Sequence, residues 1–273
     1  MIVQKTNNLW KYLVALIVCG IYLTPLYVLT VISFKPLSDV SSYWKFPTSL
    51  TFDNFLEAFE SGNLLVALTN TTIITVFSVL LIVCVGAITA YPLARKKSRL
   101  TTIIRSFSLG IMMVPPLTIL VPLYSTLVSY GGVNQYWGIV VTLLTFELPL
   151  SIFLYNNFVR AIPAALDEAA EIDGAGPFRT FFQIIFPQLK SVTVSVVILA
   201  GIHCWNDYQF SLYIMQKSSL RTITLSIASF FSQDSSNLNA AAAGALVVIL
   251  PVIIIFIFLQ KYFIKGMVDS AIK

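Results

Sequence analysis

The chain predicts an all-α, polytopic membrane protein with six transmembrane helices, and three observations carry that expectation. Of its 273 residues 57% are apolar and only 11% charged, against about 25% charged in a soluble domain, and the mean hydropathy is +0.85. Six apolar runs reach the roughly 20 residues that a bilayer core requires of a helix; they cover about 12–34, 69–94, 106–128, 138–159, 191–215 and 240–259. Lys and Arg are also sorted by side. With the N-terminus inside, thirteen of the 17 fall on inner segments and four, Lys35, Lys45, Lys217 and Arg221, on outer ones, the bias of an inserted protein. That sorting accounts for the net charge of +5 without nucleic acid. Six spans leave one domain, 1–273, with a core over about 69–260.

The first run follows Lys5 and Lys11 and extends 23 residues between Lys11 and Lys35. It is too long for the core of a secretory signal, and no A-x-A site follows, so it reads as a retained anchor. In the outer segment 35–68, Phe52, Phe55, Leu56 and Phe59 recur at i, i+3, i+4 and i+7 among Asp53, Glu57 and Glu60. This is an amphipathic helix stopped by Gly62, set in the membrane interface or against a neighbouring span. The inner loop 95–105 is basic and topological. The third run carries Pro115, Pro116 and Pro122; prolines strip backbone donors, so either a broken helix at a wet path or a kinked packing helix is expected there.

The segment 160–190 is polar and acidic between two apolar runs. Pro163 suits a helix start, Gly174 a left-handed stop, and Pro177 a second start. Phe178, Phe181, Phe182 and Ile185 follow at helical spacing. Asp167 and Glu171 at i, i+4 leave one face as uncompensated acid. The pattern predicts a helix–turn–helix knob suited to a basic groove.

Ionisable groups inside spans are costly and merit notice. Glu147 and Asp207 are two, and His203 and Asp207 at i, i+4 share one helix face; Asn156, Asn157, Asn206 and Gln209 add polarity. A wet cavity lining or hydrogen bonds between spans fit better than a metal or proton-relay site, for which a third ligand at helical spacing is missing. Cys19, Cys84 and Cys204 lie in apolar runs without metal spacing and read as small buried hydrophobes. No G-x-x-x-x-G-K-[ST] is present, nor G-x-S-x-G, H-E-x-x-H or C-x-x-C. The chain is therefore expected to be no enzyme and to carry no cofactor of its own.

Glu168-Ala169-Ala170, then Gly174, then Ile184 and Pro187 have the spacing of the EAA-x3-G-x9-I-x-L-P loop, with Phe186 in the Leu position. Along most of its length the chain resembles the MalG-like permease subunit of carbohydrate ABC importers. Ser33-Phe34-Lys35-Pro36, Ile119-Leu120-Val121-Pro122-Leu123-Tyr124, Tyr136-Trp137-Gly138, Trp205-Asn206-Asp207 and Gln260-Lys261-Tyr262-Phe263-Ile264-Lys265-Gly266 carry the likeness. The tail then departs from the family pattern at Met267-Val268-Asp269-Ser270. The resemblance implies a type I importer permease fold in a bacterial cell membrane, with both termini cytoplasmic. It implies a second, different permease, an ATPase homodimer that holds the ATP and Mg, and an extracytoplasmic binding protein that delivers a sugar. Glu168, Ala169, Ala170, Gly174, Ile184 and Pro187 would couple the chain to the ATPase, and 261–273 would form the tail. Asn206, Asp207 and Glu147 are the candidate path residues. The alternative from the residues alone is an ion-coupled secondary transporter using Asp207, Glu147 and His203; an acidic inner knob has no use in such a machine.

Overall fold

A computed structural model describes residues 9–232 and 235–271. Apart from a two-residue antiparallel ladder, Phe231–Ser232 on Ser235–Ser236, the described regular structure is helical. In chain order the helices are α1 Leu9–Ser33, α2 Asp53–Glu60, α3 Leu64–Arg95, α4 Arg99–Ile111, α5 Leu120–Ser129 and α6 Tyr136–Ala161. Then come α7 Ala165–Ile172, α8 Pro177–Thr180, α9 Phe186–Gln188, α10 Lys190–Trp205, α11 Gln209–Ile214, α12 Ile223–Ser229 and α13 Leu238–Ala271. Four stretches are long and apolar enough to cross a bilayer unbroken: Leu9–Ser33, Leu64–Arg95, Tyr136–Ala161 and Leu238–Phe258.

The third and fifth expected spans are not single helices. Within the third, Arg99–Ile111 meets Pro116–Ser129 at 98°; the fifth is preceded by a 77° bend between Pro177–Gln188 and Lys190–Trp205 and is itself interrupted further on. The first break is made by the proline pair: Pro115 is extended (ψ 127°) and Pro116 opens a 3₁₀ turn, Pro116–Ile119, where its missing donor does no harm. Ser98 caps α4 through a reciprocal capping box with Thr101, so this helix starts inside the segment expected as the basic loop. The fifth helix stops at Trp205 rather than near residue 215. Asn206, Asp207 and Tyr208 interrupt it before α11. At the other end α13 does not stop near residue 259 but continues to Ala271; residues 272–273 of the tail, and Lys5 before α1, lie outside the described residues.

The chain divides into two compact units. One comprises 1–65 and 226–250. Lys35, expected as an outer topological charge, is here 1% exposed. Its ammonium donates to the Ser41 carbonyl at 2.7 Å, the Ser41 hydroxyl at 2.8 Å and the Ser42 carbonyl at 3.1 Å, and lies 3.6 Å from Asp39. Hydrogen bonds from Ser41 hold the Asp39 carboxyl below its ordinary value, with the Lys35 charge adding to the effect. The Lys35 carbonyl in turn accepts from Asn54 at 2.9 Å and Asn239 at 2.7 Å. One lysine thus ties the end of α1 to α2 and to the start of α13. Lys35→Met keeps the stem and removes the charge. Losing hydrogen bonds from a charged donor costs about 1.5–3 kcal/mol, so a lower melting temperature of the purified protein is expected; an unchanged one would show the clasp to be dispensable.

Helix α2 forms where expected, but it buries Asn54 and Ala58, and Phe52, Leu56 and Phe59 stay exposed. Its apolar stripe is thus divided: Phe52 and Phe55 set their rings 5.4 and 5.0 Å from that of Phe34, while Leu56 and Phe59 remain uncovered. The stop is also built differently. Asn63, not Gly62, takes the left-handed conformation (φ 49°), while a Cβ on Gly62 would sit 2.5 Å from the Ala58 carbonyl and 2.8 Å from the Phe230 ring. Cys19 is exposed on α1, and Cys84 on α3 of the other unit is exposed too; only Cys204 is buried. Two of the three cysteines thus depart from the buried reading.

The second unit comprises 66–225 and 251–273. Its core joins α3, α6 and α10 through Ile82, Ile139, Tyr155, Val159, Val192 and Val196. The Tyr155 hydroxyl donates to Thr193 at 3.0 Å and the Ser151 hydroxyl to the Ile82 carbonyl at 3.2 Å. At the start of α3, Asn70 donates to the Ser219 and Arg221 carbonyls, each at 3.0 Å, and accepts from Tyr136 at 2.6 Å. Thr71 accepts from the Ile223 amide at 3.0 Å.

Candidate coupling surface and polar pairs

Helix α7 begins just after Pro163 and carries Asp167 and Glu168 in its first turn, where the helix dipole favours anions. Asp167 is not part of an uncompensated face. Its carboxylate meets Arg95, in the last turn of α3, at 2.8 Å and accepts from the Tyr91 hydroxyl. Arg95 also donates to the Ile162 carbonyl at 2.9 Å. Arg95 and Tyr91 therefore latch α7 to the end of α3. Neither was legible as its partner in the sequence, being more than 70 positions away.

The stop after α7 is a Schellman turn. The Ala175 amide donates to the Ala170 carbonyl at 2.9 Å and the Gly174 amide to the Glu171 carbonyl at 3.0 Å, with Gly174 at φ +78°. Pro177 then opens α8, as expected. The backbone next widens into a π-turn, Phe181–Ile185, which buries Phe181 and Ile185 and packs Ile184 and Phe186 on the core. The six residues expected to couple thus separate. Glu168, Ala169, Gly174 and Pro187 are exposed, Ile184 is half-buried, and Ala170 is buried within the chain. Two apolar groups stand out here, Ile172, 86% exposed, and Phe178, 78% exposed; the sequence places Phe178 at helical spacing with Phe181, Phe182 and Ile185 but does not mark it as uncovered. Large apolar groups are thus exposed beside the acids Glu168 and Glu171. The available signal was an isoleucine and a phenylalanine flanking a glycine turn.

In the interrupted part of the fifth run, Asp207 caps α11. Its carboxylate accepts from the Phe210 amide at 3.2 Å, the Ser211 amide at 2.9 Å and the Ser211 hydroxyl at 2.7 Å, and its carbonyl accepts from Thr224 at 2.7 Å. Because α10 ends at Trp205, His203 and Asp207 are not on one helix. His203 instead meets Glu147 of α6, its Nδ1 lying 3.0 and 3.1 Å from the two carboxylate oxygens; with Glu147 ionised, Nδ1 is the donor. Asn206 is exposed and donates to the Ile202 carbonyl at 2.8 Å. A relay through Glu147, His203 and Asp207 has no hydrogen-bonded continuity here, since both Asp207 oxygens serve α11. An apolar groove of this unit, about 660 Å³, lies between α3, α10 and residues 252–256 and is lined by such side chains as Val79, Val83, Ile202 and Phe256. Such a wall suits a lipid or a partner helix and offers hydroxyl groups almost nothing to bond.

Comparison with known proteins adds the following. Residues 82–269 match the family described as binding-protein-dependent transport system inner membrane component. The melibiose/raffinose/stachyose import permease protein MelC of Bacillus subtilis (strain 168) is 41% identical over 98% of each chain. The probable starch degradation products transport system permease protein AmyC of Thermoanaerobacterium thermosulfurigenes is 34% identical over 99% of this chain and all of its own. The multiple sugar-binding transport system permease protein MsmG of Streptococcus mutans (serotype c) is 33% identical over 99% of each. Among solved structures, a chain from a bacterial ABC transporter involved in the import of the acidic polysaccharide alginate superposes with a TM-score of 0.78. It covers 96% of this chain and all of that one, and at 18% identity it speaks for the fold alone.

Proposed function

The chain belongs to the binding-protein-dependent transport system inner membrane component family, and from that premise we propose that it forms half of the membrane path of an ATP-driven importer for oligosaccharides. A second, different permease supplies the other half, an ATPase homodimer binds the ATP and Mg, and an extracytoplasmic binding protein delivers the sugar. The names of the relatives, which specify melibiose, raffinose and stachyose or multiple sugars, support the substrate class. The observation that carries the coupling role is the exposed crown of Glu168, Glu171 and Ile172 on α7, which is latched to α3, with Phe178 on α8 across the glycine turn. Proteoliposomes holding the assembled complex, with binding protein outside and ATP inside, are expected to accumulate raffinose only when ATP is hydrolysed. Uptake driven by a sodium or proton gradient without ATP would instead make the chain a secondary transporter.

In this reading 1–273 is one permease domain in a bacterial cell membrane. Counting each bent pair as one span gives six, with both termini, the basic turn before α4, and α7 with the turn that leads into the fifth bent span in the cytoplasm. Cysteines introduced at the exposed Ser129 or Ser218 are expected to react with an impermeant thiol reagent from outside, and one at Lys97 only after permeabilisation; Ser98 is unsuitable because it caps α4. The reverse pattern would invert the topology.

Asn206 and the Glu147–His203 pair are proposed to line the sugar path, with Asp207 fixing the bend that presents them. Asn206→Leu and Glu147→Gln are expected to slow uptake several-fold or more, about 1 kcal/mol for a neutral hydrogen bond lost to the sugar and about 1.5–3 kcal/mol for one to a charged group, with assembly intact. Wild-type uptake in both variants would remove these residues from the path. Asp207→Leu strips a cap worth about 1 kcal/mol and is expected to lower stability as well.

A further inference from the structure

Between α4 and α6 the second unit holds a cavity of about 120 Å³, walled by Leu109, Pro149, Ile152 and Phe153 and carrying Arg105, Asn156 and Arg160 among its polar residues. Asn156 is 2% exposed, and its Nδ2 is a buried donor with no hydrogen-bond partner. Unpaired buried donors are rare in folded proteins and point to a ligand or ion that completes them. Arg105 and Arg160 form no ion pair among the described residues, and no carboxylate lines the cavity. The same two arginines border a second recess of about 740 Å³, to which Lys96, Lys97 and Arg99 contribute.

From this arrangement we infer a binding site for a phosphoryl group, occupied by the head of an anionic phospholipid. Arg105, Arg160 and Asn156 line the cavity and no carboxylate of the chain lines it with them, so the complementary group is a compact, multiply accepting anion, and guanidinium groups match phosphate geometry. A neutral sugar does not fit that description, since its hydroxyls need acceptors as well as donors. The small cavity admits a head group and no oligosaccharide. Beside it Ile103 and Phe107 of α4 are exposed, giving acyl chains an apolar surface next to the charged pocket. Basic pockets between membrane helices take anionic lipid heads for these reasons.

The test uses the full-length chain purified with its partner subunits and reconstituted in nanodiscs of phosphatidylglycerol or phosphatidylcholine, so orientation in the bilayer does not enter. Lipid still bound after extraction is read by native mass spectrometry. Two guanidinium groups at the head are expected to favour phosphatidylglycerol by about tenfold or more. Arg105→Gln with Arg160→Gln should abolish that preference, Asn156→Leu should weaken it, and the double lysine replacement should restore most of it. Lys217→Gln with Arg221→Gln, an equal charge loss elsewhere, should leave it unchanged. The wild-type comparison stands even if the double glutamine variant fails to assemble. Equal retention of the two lipids, or a preference that survives loss of both arginines, overturns the proposal. Binding of inorganic phosphate to the delipidated complex through the same arginines, without lipid preference, assigns the site to a soluble phosphate compound and overturns the lipid assignment.

Discussion

Gly174→Val is expected to abolish sugar-stimulated ATP hydrolysis while the chain still inserts and pairs with its partner permease. Gly174 sits at φ +78°, where an L-residue costs about 1–2 kcal/mol and a β-branched one more. Nothing lies within 4 Å of where its Cβ would be, so the effect is conformational and not a clash. The backbone relieves the strain by opening the Schellman turn, which displaces Pro177 and α8 and scatters Ile172, Phe178 and Glu168. A bulky residue at the exposed Ala169 should give a like result by blocking close approach. Glu168→Gln should weaken a pairing with a basic group on the ATPase; truncating one partner of a buried pair costs about 2–5 kcal/mol. Gly174→Asn is the control, because asparagine tolerates the left-handed region, and it should retain most activity. The measurements are ATPase co-purification and turnover in proteoliposomes with binding protein. Normal values for Gly174→Val would show that the knob is not the dock.

Arg95→Gln is expected to uncouple rather than dissociate the complex. The guanidinium leaves Asp167 and the Ile162 carbonyl, while the exposed crown keeps its composition. Breaking a fully buried ion pair by removing one partner costs about 3–5 kcal/mol. This pair is 17% and 20% exposed, so solvent screening reduces the figure to about 2 kcal/mol, enough to let α7 swing on its hinges. The ATPase should stay bound, and sugar imported per ATP hydrolysed should fall several-fold. Asp167→Asn should behave alike, and the double variant should be little worse than either single one, since both remove one interaction. Unchanged stoichiometry in Arg95→Gln would show that the latch transmits nothing.

Local chemistry was legible in the sequence where it is local in the chain. Gly174 at a left-handed stop, Pro177 at a helix start and the extent of α2 all follow from neighbours within a few positions. What depends on partners distant in the chain was not legible. Asp167 reads as a rim acid until Arg95 is beside it, Lys35 as an outer charge until Ser41 and Ser42 wrap it, and Glu147 as a lone carboxylate until His203 arrives from α10. Hydropathy located every apolar run but not its breaks. Residues 99–129 remain apolar through a 98° bend, because a bilayer constrains composition while proline and cap chemistry decide where a helix turns.

Helix α3 has polar fastenings near both ends: Asn70 and Thr71 to residues 219–223 at one, Tyr91 and Arg95 to α7 at the other. At 1.5 Å per residue those fastenings stand about 30 Å apart, close to the thickness of a bilayer's hydrocarbon. The helix is therefore a connecting rod with a pin at each end. A displacement of Arg95 and Tyr91 would have one continuous hydrogen-bonded backbone to follow, as far as the contacts with residues 219–223 at the other end.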